Sequence, residues 1–97
     1  MEVTQHRRLK GMVVSHYSKG TMKCIECGFS DMRALTIDHI NGGGVAHAKI
    51  VGNGTNFYRW LKVHNYPEGY QVLCMNCQFL KRYDGDKYIA HLWNKGL

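Results

Sequence analysis

Ninety-seven residues, 44% hydrophobic and 11% aromatic, describe one small folded domain and exclude a disordered chain. The longest apolar runs are only a few residues, such as Gly11-Met12-Val13-Val14, so no segment reads as a membrane-spanning helix. Lysine and arginine total 13 against 7 acids, and the resulting +6 suits a polyanionic partner such as nucleic acid, or simply a basic surface.

The first residues, Met1-Glu2-Val3-Thr4-Gln5-His6-Arg7-Arg8, lack the apolar stretch of a signal peptide, so a cytoplasmic location with reduced thiols is expected. Residues 5–18 read as a helix with Leu9, Met12, Val13, His16 and Tyr17 on one face and Gly20 as its stop. Arg7, Arg8 and Lys10 sit at the end of that helix where the dipole disfavours them. Phosphate contact and a solvated face both account for them.

Ala34-Leu35-Thr36-Ile37-Asp38-His39-Ile40 reads as a strand broken by Asn41-Gly42-Gly43-Gly44. An irregular stretch is expected down to Gly54. Thr55 then caps a helix over 56–65 with Phe57, Trp60, Leu61 and His64 on one side. After a turn at Asn65-Tyr66-Pro67-Glu68-Gly69 comes a short strand, Tyr70-Gln71-Val72-Leu73. A helix from near Asn76 carries Gln78, Lys81 and Arg82, and a last helix over about 86–95 buries Ile89, Leu92 and Trp93. The whole chain, 1–97, reads as one domain with a core over about 20–85.

The four cysteines form two Cys-x-x-Cys pairs, Cys24-Ile25-Glu26-Cys27 and Cys74-Met75-Asn76-Cys77. This spacing lets both thiolates of a pair face one ion, and two pairs close a tetrahedral structural zinc site. Gly28 after Cys27 fits the tight knuckle turn. A disulfide framework would need a secretory signal, a redox pair explains one motif and not two, and an iron–sulfur cluster remains an alternative on four cysteines. In a domain this small the metal is expected to be required for folding.

Asp38-His39 lies between the two cysteine pairs, so a shared ion would tie its strand to the helix beginning near Cys77. With Cys24-Ile25-Glu26-Cys27-Gly28, Leu35-Thr36-Ile37-Asp38-His39-Ile40-Asn41-Gly42-Gly43-Gly44 and Gly69-Tyr70-Gln71-Val72-Leu73-Cys74-Met75-Asn76-Cys77-Gln78-Phe79-Leu80-Lys81, the chain resembles the HNH endonucleases with a four-cysteine zinc site. These are the ββα-metal, or His-Me finger, nucleases, and the small phage-type members look most similar. The resemblance covers roughly residues 9–82. It implies an α+β fold with a zinc-stabilised ββα-metal core and flanking helices.

It also implies His39 as the general base, Asp38 as a ligand of a catalytic divalent ion, and Gln78 as the second ligand. The family usually carries histidine or asparagine at the place of Gln78. The motif's middle asparagine falls on Gly69, with Asn65 and Asn76 as candidate substitutes. The implied reaction is phosphodiester hydrolysis of DNA to a 5′-phosphate and a 3′-hydroxyl, in the cytoplasm of a phage-infected bacterium. The chemistry agrees: a histidine can take a proton from water near neutral pH, and magnesium or manganese prefers the oxygens that Asp38, Gln78 and a phosphate offer. No small-molecule cofactor and no membrane partner are expected.

Arg59, Lys62, Lys81 and Arg82 are candidates for phosphate contact, Arg59 with the wet side of an amphipathic helix as its alternative. His47 reads as a solvated loop residue, with contact to phosphate or the divalent ion as the alternative, His16 and His64 as core-edge residues, and His6 and His91 carry no signal. Phe57, Trp60 and Trp93 read as core packing rather than base stacking. Two alternatives stand beside the nuclease: a zinc-stabilised DNA-binding module that cuts weakly or not at all, and a zinc-knuckle protein-interaction module. The second leaves Asp38-His39 without a use.

Overall fold

The computed structural model describes residues 3–84. The expected last helix over 86–95, with His91 and Trp93, lies outside the described residues. Along the chain run α1 (Val3–Tyr17), a short 3-10 turn (Met32–Ala34), β1 (Leu35–His39), α2 (Gly44–Val51), α3 (Thr55–Val63), β2 (Tyr70–Cys74) and α4 (Met75–Asp84). The result is a small mixed α/β fold on a two-stranded sheet, with four cysteines gathered at one end of it.

β1 and β2 pair antiparallel, Leu35 opposite Cys74 and His39 opposite Tyr70. Side chains alternate across a strand. Leu35, Ile37 and His39 therefore share a face with Tyr70, Val72 and Cys74, whereas Thr36 and Asp38 share the other with Gln71 and Leu73. α1 packs on both strands and on α3, and α4 packs on both strands. Leu35, Leu61, Leu73, Val13, Val14 and Val72 are fully buried. A two-stranded sheet is not stable by itself, so this helix cover is what holds it.

Three features differ from the sequence reading. The buried stripe of α1 is Leu9, Val13 and Val14, with Tyr17 packed against the core, while Met12 and His16 are exposed. Tyr17 is anchored by its hydroxyl, which donates to the Pro67 carbonyl at 2.6 Å, and burial with Tyr70 and Tyr66 nearby pushes its pKa up to about 12. Met12 and His16 fit the helical spacing equally well, but the helix turns Val13 and Val14 into the core and leaves those two exposed.

The stretch expected to be irregular contains α2. Gly42 and Gly43, at φ 77° and 86°, turn the chain out of β1 and directly into the helix, a conformation that side chains resist. Gly52, at φ 90°, ends it with its N–H on the Ala48 carbonyl. Glycines that read as breakers are the boundaries of a helix. Thr55, expected as the cap of α3, is its first residue; the cap is Gly54, without a side-chain bond. The Thr55 hydroxyl instead meets His6 Nδ1 at 2.5 Å, which ties α3 to α1.

Candidate functional site

The first knuckle is a tight turn. Cys24 N–H donates to the Phe29 carbonyl at 2.8 Å, Gly28 N–H returns to the Cys24 carbonyl at 2.9 Å, and Gly28 takes φ 82°. Ile25 N–H donates to the Val72 carbonyl at 2.9 Å and so fastens the knuckle to the edge of β2 away from β1. The second knuckle is the passage from β2 into α4, where Cys77 N–H points at Cys74 Sγ at 3.4 Å.

All four sulfurs, of Cys24, Cys27, Cys74 and Cys77, lie within 4.8 Å of one another, and Cys27 and Cys74 are 3.7 Å apart. Sulfurs about 2.3 Å from a tetrahedral zinc ion would be separated by about 3.8 Å. None is in a disulfide. Burial resists ionisation of Cys24, but the N–H groups of Cys74, Cys27 and Glu26 outweigh it and bring that thiol down to about 6. Cys77 is pushed well above the ordinary thiol range by desolvation and by its three sulfur neighbours. Four thiols this close cannot all ionise without a cation among them. The cluster is thus positioned for a metal ion, and its donor set is that of structural zinc.

At the opposite end of the sheet, Asp38 is buried on the face covered by α4. Its Oδ2 accepts from Gln71 Nε2 at 2.8 Å and from Lys81 Nζ at 2.5 Å. Among the described residues Oδ1 accepts nothing, and no buried polar side-chain atom lacks a partner, so Oδ1 keeps some exposure; Asp38 lines an open cleft. Lys81 uses its other two protons on the carbonyls of His39, at 2.8 Å, and Ile40, at 3.0 Å. Its ammonium is committed to the end of β1 rather than presented for phosphate.

One turn earlier on α4, Gln78 Nε2 donates to Thr36 Oγ1 at 3.0 Å, and that hydroxyl donates to the Leu73 carbonyl at 2.7 Å. The single hydroxyl proton is spent on Leu73, so Thr36 can only accept from Gln78. The amide nitrogen is fixed toward Thr36 and the oxygen Oε1 is left as the free end. Asp38 Oδ1 and Gln78 Oε1 are both hard oxygen donors that suit magnesium or manganese.

His39 lies on the other face, stacked on Phe57 at 5.3 Å between ring centroids, with Nε2 2.9 Å from His47 Nδ1. Burial lowers its pKa and His47 pushes the same way; Asp38 opposes and Lys81 adds slightly to the lowering. The Lys81 bond to the His39 carbonyl and the bond of Gly42 N–H to the same oxygen, at 2.9 Å, fix the strand end.

Asp38, His39, Gln78, Lys81 and Arg82 line one open cleft of about 740 Å³, whose floor is Gly42–Gly44. Comparison with family models, with curated proteins and with solved structures finds no match for the chain.

Lys49 also lines this cleft. Arg59 is not among its lining residues and reaches Asn56 Oδ1 at 3.4 Å on its own helix. Asn65 and Asn76 are both exposed. Gly69, where the resemblance would put the motif's asparagine, accepts Ile40 N–H on its carbonyl at 2.9 Å and so closes the loop through its backbone.

The sequence reading missed one residue of this region and misplaced another. Gln71 is directly opposite Asp38 across the sheet, a partner that strand register alone reveals. His47 is on α2, half-buried, its ring edge-on to Trp60 at 4.6 Å, and not in a solvated loop. The i to i+3 step from Gly44 to His47 was the available signal, but it has meaning only once the helix is known.

Proposed function

We propose that this chain is a metal-dependent DNA endonuclease of the HNH, ββα-metal type, with a structural zinc ion on Cys24, Cys27, Cys74 and Cys77. The observation that supports the reading best is that Asp38 and His39 from one strand and Gln78 from α4 share one basic cleft. Asp38 Oδ1 and Gln78 Oε1 would hold a divalent ion, magnesium or manganese, which supplies Lewis acidity to a bound phosphate.

His39 takes the proton of the attacking water, a role suited to a ring kept neutral at pH 7 by its lowered pKa. Gln71 and Lys81 hold the Asp38 carboxylate in place. Arg82 and Lys49 bring positive charge to the cleft rim for the phosphate backbone. The cleft residues among the described ones offer charge for phosphates rather than an element shaped for base edges, and low sequence specificity is expected. The test is plasmid nicking by the zinc-loaded protein with magnesium or manganese, against a chelator of the divalent ion and His39→Ala. Nicking that needs the ion and His39 supports the reading; no nicking by the wild type under any divalent ion overturns it.

One observation favours a second reading, a DNA-binding module that cuts weakly or not at all. The Lys81 ammonium is paired with the carboxylate to which the divalent ion would bind. Under this reading Lys81 acts as a permanent internal cation. Manganese titration separates the two readings. A wild type that neither binds manganese nor nicks, beside a Lys81→Met variant that binds it, identifies the module.

A further inference from the structure

The two nitrogens of His39 have different surroundings. Nε2 is 2.9 Å from Nδ1 of His47. Nδ1, on the other side of Cε1, is against Gly44, where a side chain would place its Cβ 3.2 Å from Nδ1 and 3.5 Å from Cε1. Gly44 lines the cleft, so the absence of a Cβ leaves the Nδ1 edge approachable from it. Gly44 is not held at positive φ, so backbone conformation does not account for a glycine here.

His47 is itself fixed. It projects from the middle of α2, edge-on to Trp60 at 4.6 Å and to Phe57 at 5.7 Å, and Phe57 stacks on His39. α3 thus supports both imidazoles from beneath.

A neutral imidazole carries one proton, and only the other nitrogen can act as a base. If His39 carried it on Nδ1, that N–H would have only solvent in the cleft as acceptor, and Nε2 would need His47 Nδ1–H as donor, which puts both rings in the tautomer that neutral imidazole disfavours. If His39 carries it on Nε2, the proton is donated to His47 Nδ1 and both rings keep the tautomer that neutral imidazole intrinsically favours. We propose that His47 is the positioning residue that holds His39 in the Nε2–H tautomer and leaves Nδ1, over Gly44, as the nitrogen that receives the proton of water. The bond to His47 also persists when Nδ1 is protonated, because the imidazolium still donates from Nε2. This is the logic of a base oriented by a third group, with a neutral histidine in the place often taken by a carboxylate.

The catalytic consequence rests on the nuclease reading; the tautomer does not, and the experiment reads them separately. Long-range proton–nitrogen correlation spectra of the zinc-loaded protein at neutral pH report which His39 nitrogen is protonated. The wild type is expected to show a protonated Nε2 and a free Nδ1. His47→Asn keeps an acceptor oxygen near the place of Nδ1 and should preserve that pattern, whereas His47→Leu keeps bulk against Trp60 but removes the acceptor and should give a tautomer mixture. In nicking assays His47→Leu should lower kcat about 10- to 100-fold with KM for DNA little changed, and His47→Asn should restore most of it. Gly44→Ala should leave the tautomer alone and lower kcat by covering Nδ1.

A wild type protonated on Nδ1, or a folded His47→Leu protein with unaltered tautomer and kcat, overturns the assignment. A tautomer that follows His47 in a protein that never cuts DNA upholds the assignment and overturns the nuclease reading instead.

Discussion

Burial and the neighbouring His47 lower the basicity of His39, and Asp38 restores only part of it. The folded state therefore binds a proton on this ring less readily than the unfolded chain, whose value is 6.5. The contribution to stability is complete above that value and is lost as pH falls through it toward the lowered one. A cation on Asp38 would act in the same direction. The acid limb of a rate–pH profile should accordingly lie below pH 6.5, and a limb centred above it would contradict the electrostatics of this pocket. Replacing the ring altogether, His39→Ala, should keep fold and zinc while slowing nicking about 100- to 10,000-fold, measured as initial rate on supercoiled plasmid. At this scale the sequence was partly legible. Asp38 and His39 announced themselves by being adjacent, but Gln71 and His47 did not, because their partners are 33 and 8 residues away and depend on register and on a helix.

The helix α4 meets β1 through two side chains three residues apart, Gln78 on Thr36 and Lys81 on Asp38. Spacing on a helix made both legible as one face; which atoms they would offer was not, since the hydroxyl of Thr36 decides the orientation of the Gln78 amide. That orientation yields a prediction. Gln78 has one more rotatable bond than asparagine, and magnesium tolerates loose geometry less well than manganese. Cleavage should favour manganese, and Gln78→Asn or Gln78→His should lower the metal concentration for half-maximal activity while Gln78→Ala raises it. Identical metal dependence in all four proteins would remove Gln78 from the site. By contrast α2 was illegible as an element. Its eight residues are too few to establish a period, and the glycines at both ends carry the turn chemistry that elsewhere marks a loop. In α1 the spacing placed Leu9, Val13 and Tyr17 against the core, but it added the exposed Met12 and His16 and missed Val14, because helical spacing says which residues share a side and not how the buried stripe is centred.

At the scale of the molecule, the described core is small, and the cysteine cluster joins distant segments at one end of the sheet: Cys27 and Cys74 are 47 residues apart. Binding of zinc to such a site is worth on the order of 10 kcal/mol, comparable to the stability of a whole domain. Cys24→Ser or Cys74→Ser should give unfolded or insoluble protein by circular dichroism, and a well-folded sample without bound metal would contradict the site. With a charge of +6, DNA affinity should fall steeply between low and physiological salt and vary little with sequence, as read by fluorescence anisotropy. The two ends of the sheet have a further property in common. Each cluster draws one half from the segment before Asn53 and the other from the segment after it: Cys24, Cys27, Asp38 and His39 on one side, Cys74, Cys77, Gln78 and Lys81 on the other. Asn53 is exposed between α2 and α3. The polypeptide is in this sense a pair of complementary fragments that happen to be covalently joined. Severed at Asn53, the two pieces should remain unstructured apart and when mixed with a chelator, and should assemble into one folded particle when zinc is added, the ion serving as the joint that the peptide bond no longer provides.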